Sequence, residues 1–140
     1  MPPSDLDPLI PAVGIRQPWL ELILLGKKTL EIRSQNTQIR GTIYLYASQR
    51  LADHPAAPRA ALDHDVDVST LPLGRLVGSV QLVASRRATV DDAKAACVPG
   101  EFLLNQYAWV LESPVRFPSP QPVDYLPYGV WFYPFRRKGP

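Results

Sequence analysis

Two short segments of this chain alternate strictly between apolar and polar residues. In residues 41–48, GTIYLYAS, tyrosines and hydroxyl residues occupy every second position, with aliphatic residues between them. In residues 29–34, TLEIRS, Leu30 and Ile32 alternate with Glu31 and Arg33. A period of two is that of a β-strand with one face directed at a core. Both segments therefore predict strands, and a fold that is built mainly from them.

The rest of the chain fits the same architecture. Further β-rich runs occupy residues 12–16, 74–83, 107–112 and 130–133, whereas helical patterns are short: Pro18 to Leu24, residues 59–62, and a few residues after Thr89. Residues 113–127 are rich in proline and are expected to cross between strands. Short strands with few helices favour a small β-barrel. We therefore predict a mainly β fold with short helices, of the α+β class.

Length and composition predict one domain. The chain has 140 residues, of which 46% are hydrophobic, enough to bury a core. We expect residues 1–11, with four prolines, to form a flexible leader, residues 12–136 to form the domain, and residues 137–140 to form a basic tail. The single cysteine, Cys97, excludes an internal disulfide. No apolar run approaches the roughly 18 residues of a membrane span, and the first residues lack a secretion signal, so we expect a cytoplasmic location.

The stretch from Gly14 to Gly41 carries five Lys or Arg residues against two Glu, although the whole chain has a formal charge of only +2. Within it, Lys28, Glu31 and Arg33 come close together. Lys28 could serve as a base if burial and neighbouring cations lower its pKa, or it could contact a phosphate. Glu31 and Arg33, two positions apart on one strand face, could instead form an ion pair that orders the barrel.

A second group of candidates could line the same cleft. Gln17 and Trp19 flank the beginning of a helix, where free N–H groups favour an anion, and Trp19 could either stack on a base or pack in the core. Aromatic rings and hydroxyls suit recognition of single-stranded RNA. The remaining candidates that carry them are Ser34, Tyr46, Ser48 and Tyr107. Trp109 and Trp131, at strand centres, are expected in the core.

The segment 51–72 has no regular period and contains both histidines. His54 and His64 stand ten positions apart with aspartates beside them, but without the helical or hairpin spacing that brings metal ligands together. We therefore expect a solvated loop, which either forms a lid over the cleft or lies away from it, and no metal site. No glycine-rich phosphate loop, serine nucleophile motif or dinucleotide fingerprint is present, so no cofactor is predicted.

Several blocks of the sequence together resemble a known family, the ASCH domain. These blocks are QPW, GKKTLEIRS, RGTIYLYAS, GRLVGSVQLV, AWVLE and YGVWF, in that order between Gly14 and Phe135. The most diagnostic piece is G-x-K-T-x-E-x-R. The resemblance implies a PUA-like fold, a pseudo-β-barrel with a ligand cleft beside the first helix. It also implies single-stranded RNA, or a modified nucleoside or nucleotide, as the ligand.

Two enzymatic activities are implied by the resemblance, a ribonuclease and an amidohydrolase that acts on N4-acetylcytidine. The amidohydrolases use a lysine that Lys28 matches, and a threonine three residues later, where this chain has Glu31. The sequence therefore predicts RNA or nucleotide binding in the motif-lined cleft. The alternative is a hydrolase on the same ligands. In a metal-independent ribonuclease, Lys28 or Glu31 would take the proton of the 2′-hydroxyl and Arg33 would stabilise the phosphorane charge. In an amidohydrolase, Lys28 would activate a nucleophile whose identity stays open, and a structural or protein-binding role with unknown partners is the third possibility.

Overall fold

The computed structural model describes residues 5–137. Its strands are β1 (Ala12–Ile15), β2 (Leu30–Arg33), β3 (Gly41–Ala47), β4 (Arg75–Arg87), β5 (Tyr107–Gln121) and β6 (Trp131–Phe132). Its α-helices are α1 (Trp19–Leu24), α2 (Ala57–Asp63) and α3 (Ala93–Ala96), and short 3-10 turns lie at Val68–Thr70, Val90–Asp92 and Gly100–Leu103. The prediction of a mainly β fold with a few short helices is confirmed.

The six strands form one sheet in the order β2-β5-β4-β3-β1-β6, which curves into a half-barrel. β1 runs parallel to β3, with Gly14 opposite Tyr46, and the other neighbouring strands are antiparallel. The long β4 and β5 form the centre. β2 and β1 lie far apart in this order although they are close in sequence, and α1 connects the two sides of the half-barrel.

The alternating segments form strands, as the pattern predicts. On β3, Ile43 and Leu45 face the core cluster that α1 covers, whereas Tyr44 and Tyr46 face a second cluster around Phe132. On β2, Leu30 packs against α3 and the 3-10 turn that follows it. Both faces of β3 are covered, so its tyrosines are buried. The strict alternation therefore separates two cores here, rather than a core from solvent.

One expectation about the fold is wrong. Residues 113–127 were expected to cross between strands, but β5 continues through this segment to Gln121 and pairs with β4 there. β2 covers the other side of β5 only from Tyr107 to Val110, so the later residues form an edge strand. An edge strand tolerates proline because its outward N–H groups need no partner. Register shifts in the β4–β5 pairing accommodate the irregular stretch.

One of these register shifts falls between Leu76 and Gly78 on β4. A Cβ atom at Gly78 would overlap the carbonyl oxygen of Val115 and approach Leu24 Cδ2 to 2.7 Å. The backbone of β5 and the side chain of α1 therefore both reach β4 closely. Only glycine leaves room for this contact, which brings α1 down onto the sheet.

The described part of the expected leader, residues 5–11, makes contacts with the domain. Leu6 is buried in the cluster around Tyr44, and the backbone N–H of Asp7 donates to the Tyr44 hydroxyl at 2.8 Å. The division into a leader, one domain and a tail stays a prediction, and residues 1–4 and 138–140 lie outside the described residues.

Candidate functional site

Glu31 and Arg33 lie on the face of β2 that looks into the half-barrel. Arg33 Nε donates to Glu31 Oε2 at 2.9 Å, and an Nη atom donates to the carbonyl oxygen of Gly14 on β1 at 2.8 Å. The Glu31 side chain is 9% exposed and that of Arg33 is 25% exposed. Since β1 and β2 are not sheet neighbours, the guanidinium joins the two sides of the half-barrel.

Two tryptophans continue this bridge. The guanidinium carbon of Arg33 lies 5.5 Å from the centre of the Trp109 ring, and Trp109 stacks on Trp131 with centroids 5.4 Å apart. Trp109 Nε1 donates to the carbonyl oxygen of Gln35. Trp109 is buried, as expected, whereas Trp131 is only partly buried. The ion pair is thus held in place by an aromatic column and by backbone carbonyls.

Lys28 lies just before β2 and is 3% exposed. Its ammonium donates to the carbonyl oxygen of Ala96 at the end of α3, at 2.5 Å, and lies 5.0 Å from the centre of the Trp19 ring. Burial lowers the pKa of Lys28 from its ordinary value, although the nearby Glu31 carboxylate acts in the opposite direction. The ammonium is therefore poised closer to losing its proton than a surface lysine.

Two adjoining cavities lie against these residues. The outer one has a volume of about 450 Å³, within the range of ligand pockets, and Glu31, Arg33, Trp19 and Ser48 are among the residues that line it. The inner one, of about 170 Å³, is lined by Lys28 and Phe102 among others. Trp19, Glu31 and His54 border both, so the two form one cleft. The cleft lies beside the beginning of α1, where the resemblance to the ASCH domain implied a ligand cleft.

His54 is one of the cleft residues that the sequence analysis did not choose as candidates. It lies between the two cavities, with its ring edge-on to Trp19 and to Phe102 at centroid distances of 6.0 Å and 4.5 Å. Its Nδ1 accepts from the N–H of Ala56 at 2.9 Å, so in the neutral ring Nε2 carries the proton. The expectation of a solvated loop is wrong at this position, because the half-buried ring packs between two aromatic side chains.

Of the second group of candidates, Trp19 and Ser48 line the cleft and Gln17 does not. Gln17 is fully buried on the other side of the helix start, where its Oε1 accepts from the N–H of Glu21 at 2.8 Å and its Nε2 donates to the carbonyl oxygen of Pro72. Its position connects α1 to the segment 51–72. The Gln17 side chain therefore holds two parts of the fold together and does not face the cleft.

The other three candidates lie outside both cavities of the cleft. Ser34 is exposed beyond the end of β2. Tyr107 is half-buried beneath the guanidinium of Arg87, 4.9 Å from its ring centre. Tyr46 is buried, and its hydroxyl has no hydrogen-bond partner within residues 5–137. It borders a separate cavity of about 260 Å³ that also touches Ser48.

Within residues 5–137, no three His, Cys, Asp or Glu side chains converge in a way that could hold a metal ion. None of the helices in that range has the length and apolar character needed to span a bilayer.

The curved sheet, with a few short helices, is consistent with a PUA-like fold. The sequence profile of the ASCH domain matches residues 13–121, and the chain belongs to this family. The ASCH family is associated with RNA binding. None of the curated proteins matches the sequence of this chain.

Solved structures of an ASCH protein from Zymomonas mobilis share the fold. The crystal structure of that protein superimposes with a TM-score of 0.61 at 16% identity, covering 94% of this chain and 90% of the other. A serine-to-alanine mutant of it gives a TM-score of 0.60 at 16% identity, with 99% and 92% covered. A tyrosine-to-phenylalanine mutant gives 0.59 at 14% identity, with 91% and 90% covered. At these identities the similarity establishes the fold.

Proposed function

We propose that the cleft binds a base of single-stranded RNA, or of a modified nucleoside or nucleotide. The observation that carries the proposal is the Glu31–Arg33 pair on the wall of a cavity large enough for a base. Its remaining donor and acceptor atoms support base recognition: within residues 5–137, Glu31 Oε1 and one Nη of Arg33 have no hydrogen-bond partner. An acceptor beside a donor can pair with the edge of a base, while Trp19 offers a ring for stacking.

The charges of the outer cavity also favour a base over a phosphate at this point. Arg33 is paired with Glu31, and the other arginine of the cavity, Arg16, lies 3.4 Å from Asp53. The positive charges of these two arginines are therefore matched by the negative charges of Glu31 and Asp53. A neutral polar pocket suits the amide and amine groups of a base.

A second candidate function, hydrolysis of the bound ligand, is favoured by Lys28. Its buried ammonium borders the inner cavity together with Glu31, and burial lowers its pKa, which is the direction that favours a general base. The inner cavity, at about 170 Å³, is smaller than typical ligand pockets, so it would admit a substituent of the base or a reacting group and not a whole nucleoside.

The two hydrolytic reactions use these residues differently. In a ribonuclease, Lys28 or Glu31 would take the proton of the 2′-hydroxyl, and the oxygen would attack phosphorus while Arg33 stabilises the phosphorane charge. The bond to the 5′-oxygen would then break to give a 2′,3′-cyclic phosphate, and the leaving 5′-oxygen would take a proton from water. In an amidohydrolase, water activated by Lys28 would attack the acetyl carbonyl of N4-acetylcytidine, and the C–N bond would break to give acetate and cytidine.

One experiment separates binding from both reactions. Wild type, Lys28→Met and Glu31→Gln are titrated against end-labelled single-stranded RNA, and the RNA is then run on a denaturing gel with and without a chelator; N4-acetylcytidine is assayed for cytidine release in parallel. Arg75→Gln, an exposed change away from the cleft, is the matched control. Binding of intact RNA that Glu31→Gln weakens supports the binding function, and cleavage or deacetylation lost in Lys28→Met supports the hydrolase. No binding and no turnover by wild type would refute both.

The predicted cytoplasmic location belongs to the same proposal, because cellular RNA and its nucleosides are available there. Fractionation of cells that express a tagged chain would test it. Recovery of the protein outside the cytoplasm would overturn that part.

A further inference from the structure

The cleft does not end at the inner cavity. A third cavity, of about 780 Å³, lies beyond it, between α2 and α3. Val98 and Phe102 border both the inner and the third cavity, so the space continues past the Phe102 ring. Together the outer, inner and third cavities form one groove, the long groove.

Two stretches of chain run along the whole length of the long groove. On one wall Asp53 borders the outer cavity, His54 the outer and inner ones, and Pro55 the third. On the other wall the chain runs in reverse, from Arg33 at the outer cavity through Lys28 at the inner one to Lys27 at the third. Because both walls are single continuous segments, the groove is one extended feature.

The free positive charge of the groove lies at its far end. Lys27 and Lys94 border the third cavity, are exposed, and make no ion pair within residues 5–137. Arg59, which also borders it, is paired with Asp63 at 2.9 Å. The third cavity therefore has two cations without a carboxylate partner, whereas both arginines of the outer cavity are paired with carboxylates.

The wall between these lysines is apolar and partly aromatic. Phe102 and Pro99 lie on one side, and Pro55 and Ala60 lie on the other. A flat apolar ring would pack against this wall while an attached anion reaches the lysines. This combination of stacking surface and free cations is typical of sites that follow a single strand of nucleic acid.

We propose that the long groove is a track for single-stranded RNA, in which the nucleotide next to the recognised base lies in the third cavity, with its phosphate on Lys27 and Lys94. The inference rests on the proposed function of the cleft and extends it. It places the main phosphate contacts on two exposed lysines and not on the motif residues Lys28 and Arg33, of which the first is buried and the second is paired with Glu31. A strand of two or more nucleotides should then bind more tightly than a mononucleotide.

The test compares two double variants that remove the same charge. Lys27→Gln/Lys94→Gln removes the two groove cations, and Arg40→Gln/Arg75→Gln removes two exposed cations that border none of the described cavities. The probes are a labelled random-sequence RNA of about ten nucleotides, a DNA of the same length, and cytidine monophosphate. Affinities for the two oligonucleotides are measured at several salt concentrations.

For single strands, the slope of log K against log salt concentration changes by about 0.7 for each phosphate contact. Because Lys27 and Lys94 are proposed to contact the same phosphate, we expect the groove variant to lose about 0.7 units of slope and roughly tenfold or more in RNA affinity at low salt, while the matched control keeps both. Cytidine monophosphate should bind both variants equally. Tighter binding of DNA than of RNA by wild type would overturn the assignment of the strand as RNA.

Failure of the track and failure of the cleft give different results. If RNA binding persists, depends on Glu31, and is unchanged in the groove variant, the track is refuted and the cleft function stands. If both double variants lose the same affinity and slope, the contact is with general surface charge, which also refutes the track. If wild type binds neither RNA nor cytidine monophosphate, the proposed function itself fails.

Discussion

Arg33 on β2 donates to the carbonyl oxygen of Gly14 on β1, across the open side of the half-barrel, while its Nε holds Glu31. A lysine at position 33 has one ammonium and cannot reach both acceptors with the same fork geometry. We expect Arg33→Lys to lower the free energy of unfolding by about 2 kcal/mol, since Glu31 would stay largely buried without a full partner. Urea denaturation measures the change.

The matched control for Arg33→Lys is Arg116→Lys. Arg116 forms two hydrogen bonds with Glu21, at 2.9 Å and 2.8 Å, but its side chain is 46% exposed. An exposed pair contributes about 0.5 kcal/mol, so this variant should be nearly neutral. Equal losses in the two variants would show that the Arg33 bridge is no stronger than a surface ion pair.

The pH dependence of stability should report the burial of Lys28. Its pKa is lowered in the folded protein, so between that value and the ordinary value of about 10.4 the unfolded chain binds more protons. The contribution of Lys28 to the free energy of unfolding therefore rises with pH through this window and is least favourable below it. Urea denaturation of wild type and Lys28→Met across pH 7 to 10 isolates the contribution.

The difference between the two proteins is the quantity to follow, because other groups titrate in the same range. Burial raises the pKa of Cys97 and of Tyr44, so each loses stabilisation as the pH rises. The Tyr44 effect is common to both proteins, whereas the Lys28 charge itself lowers the pKa of Cys97, so the difference between the two proteins also contains this coupling. A wild-type advantage that shrinks as the pH rises would mean that the ammonium is stabilised, not destabilised, by its surroundings.

The sequence predicted the strands and the motif better than the cleft. Alternation located β2 and β3 because a period of two is local information, and it placed Glu31 with Arg33 on one face. It could not find His54, because the segment 51–72 has no period and the ring reaches the cleft only through packing against Trp19 and Phe102.

The candidates that lie outside the cleft have a related explanation. Gln17 and Tyr46 have the polar atoms of ligand-binding residues. Gln17 is buried behind the beginning of α1 and Tyr46 in the cluster around Phe132, and both positions depend on tertiary packing. The extent of β5 was missed for a different reason. Proline marks a break in a central strand, and only the sheet order reveals that residues 113–121 lie on an edge.

His54 offers a prediction in which binding and stability separate. Asparagine can place an oxygen where Nδ1 accepts from Ala56, whereas glutamine can place its amide near the position of Nε2. We expect His54→Asn to keep the stability of the loop but to lose ligand affinity about tenfold. We expect His54→Gln to keep more of the affinity and to lose about 1 kcal/mol of stability with the Ala56 hydrogen bond.

Both quantities are measured on the same preparations, by RNA titration and by urea denaturation. A parallel loss of affinity and stability in the two variants would assign His54 a purely structural role. The same result for Gln and Asn in the binding assay would show that Nε2 does not contact the ligand.

Gly78 tests how closely the sheet and α1 approach. In Gly78→Ala the new methyl group would meet the Val115 carbonyl and Leu24, so we expect a loss of about 1–3 kcal/mol from overpacking. Gly129→Ala is the control, since its nearest contact would be an ordinary 3.7 Å to the carbonyl oxygen of Trp131. If Gly78→Ala were as stable as Gly129→Ala, α1 could move away from β4 without cost.

Tyr44 and Tyr46 are neighbours on one face of β3 with opposite hydrogen-bonding states. The Tyr44 hydroxyl accepts from Asp7, whereas the Tyr46 hydroxyl is buried without a partner among residues 5–137. A buried polar group that lacks a partner costs about 1–3 kcal/mol, so Tyr46→Phe should leave the free energy of unfolding unchanged or raise it. Tyr44→Phe should lower it by about 1 kcal/mol. A clear loss of stability in Tyr46→Phe would mean that this hydroxyl is hydrogen-bonded in solution, and a loss of RNA affinity without a loss of stability would bring Tyr46 into the binding site.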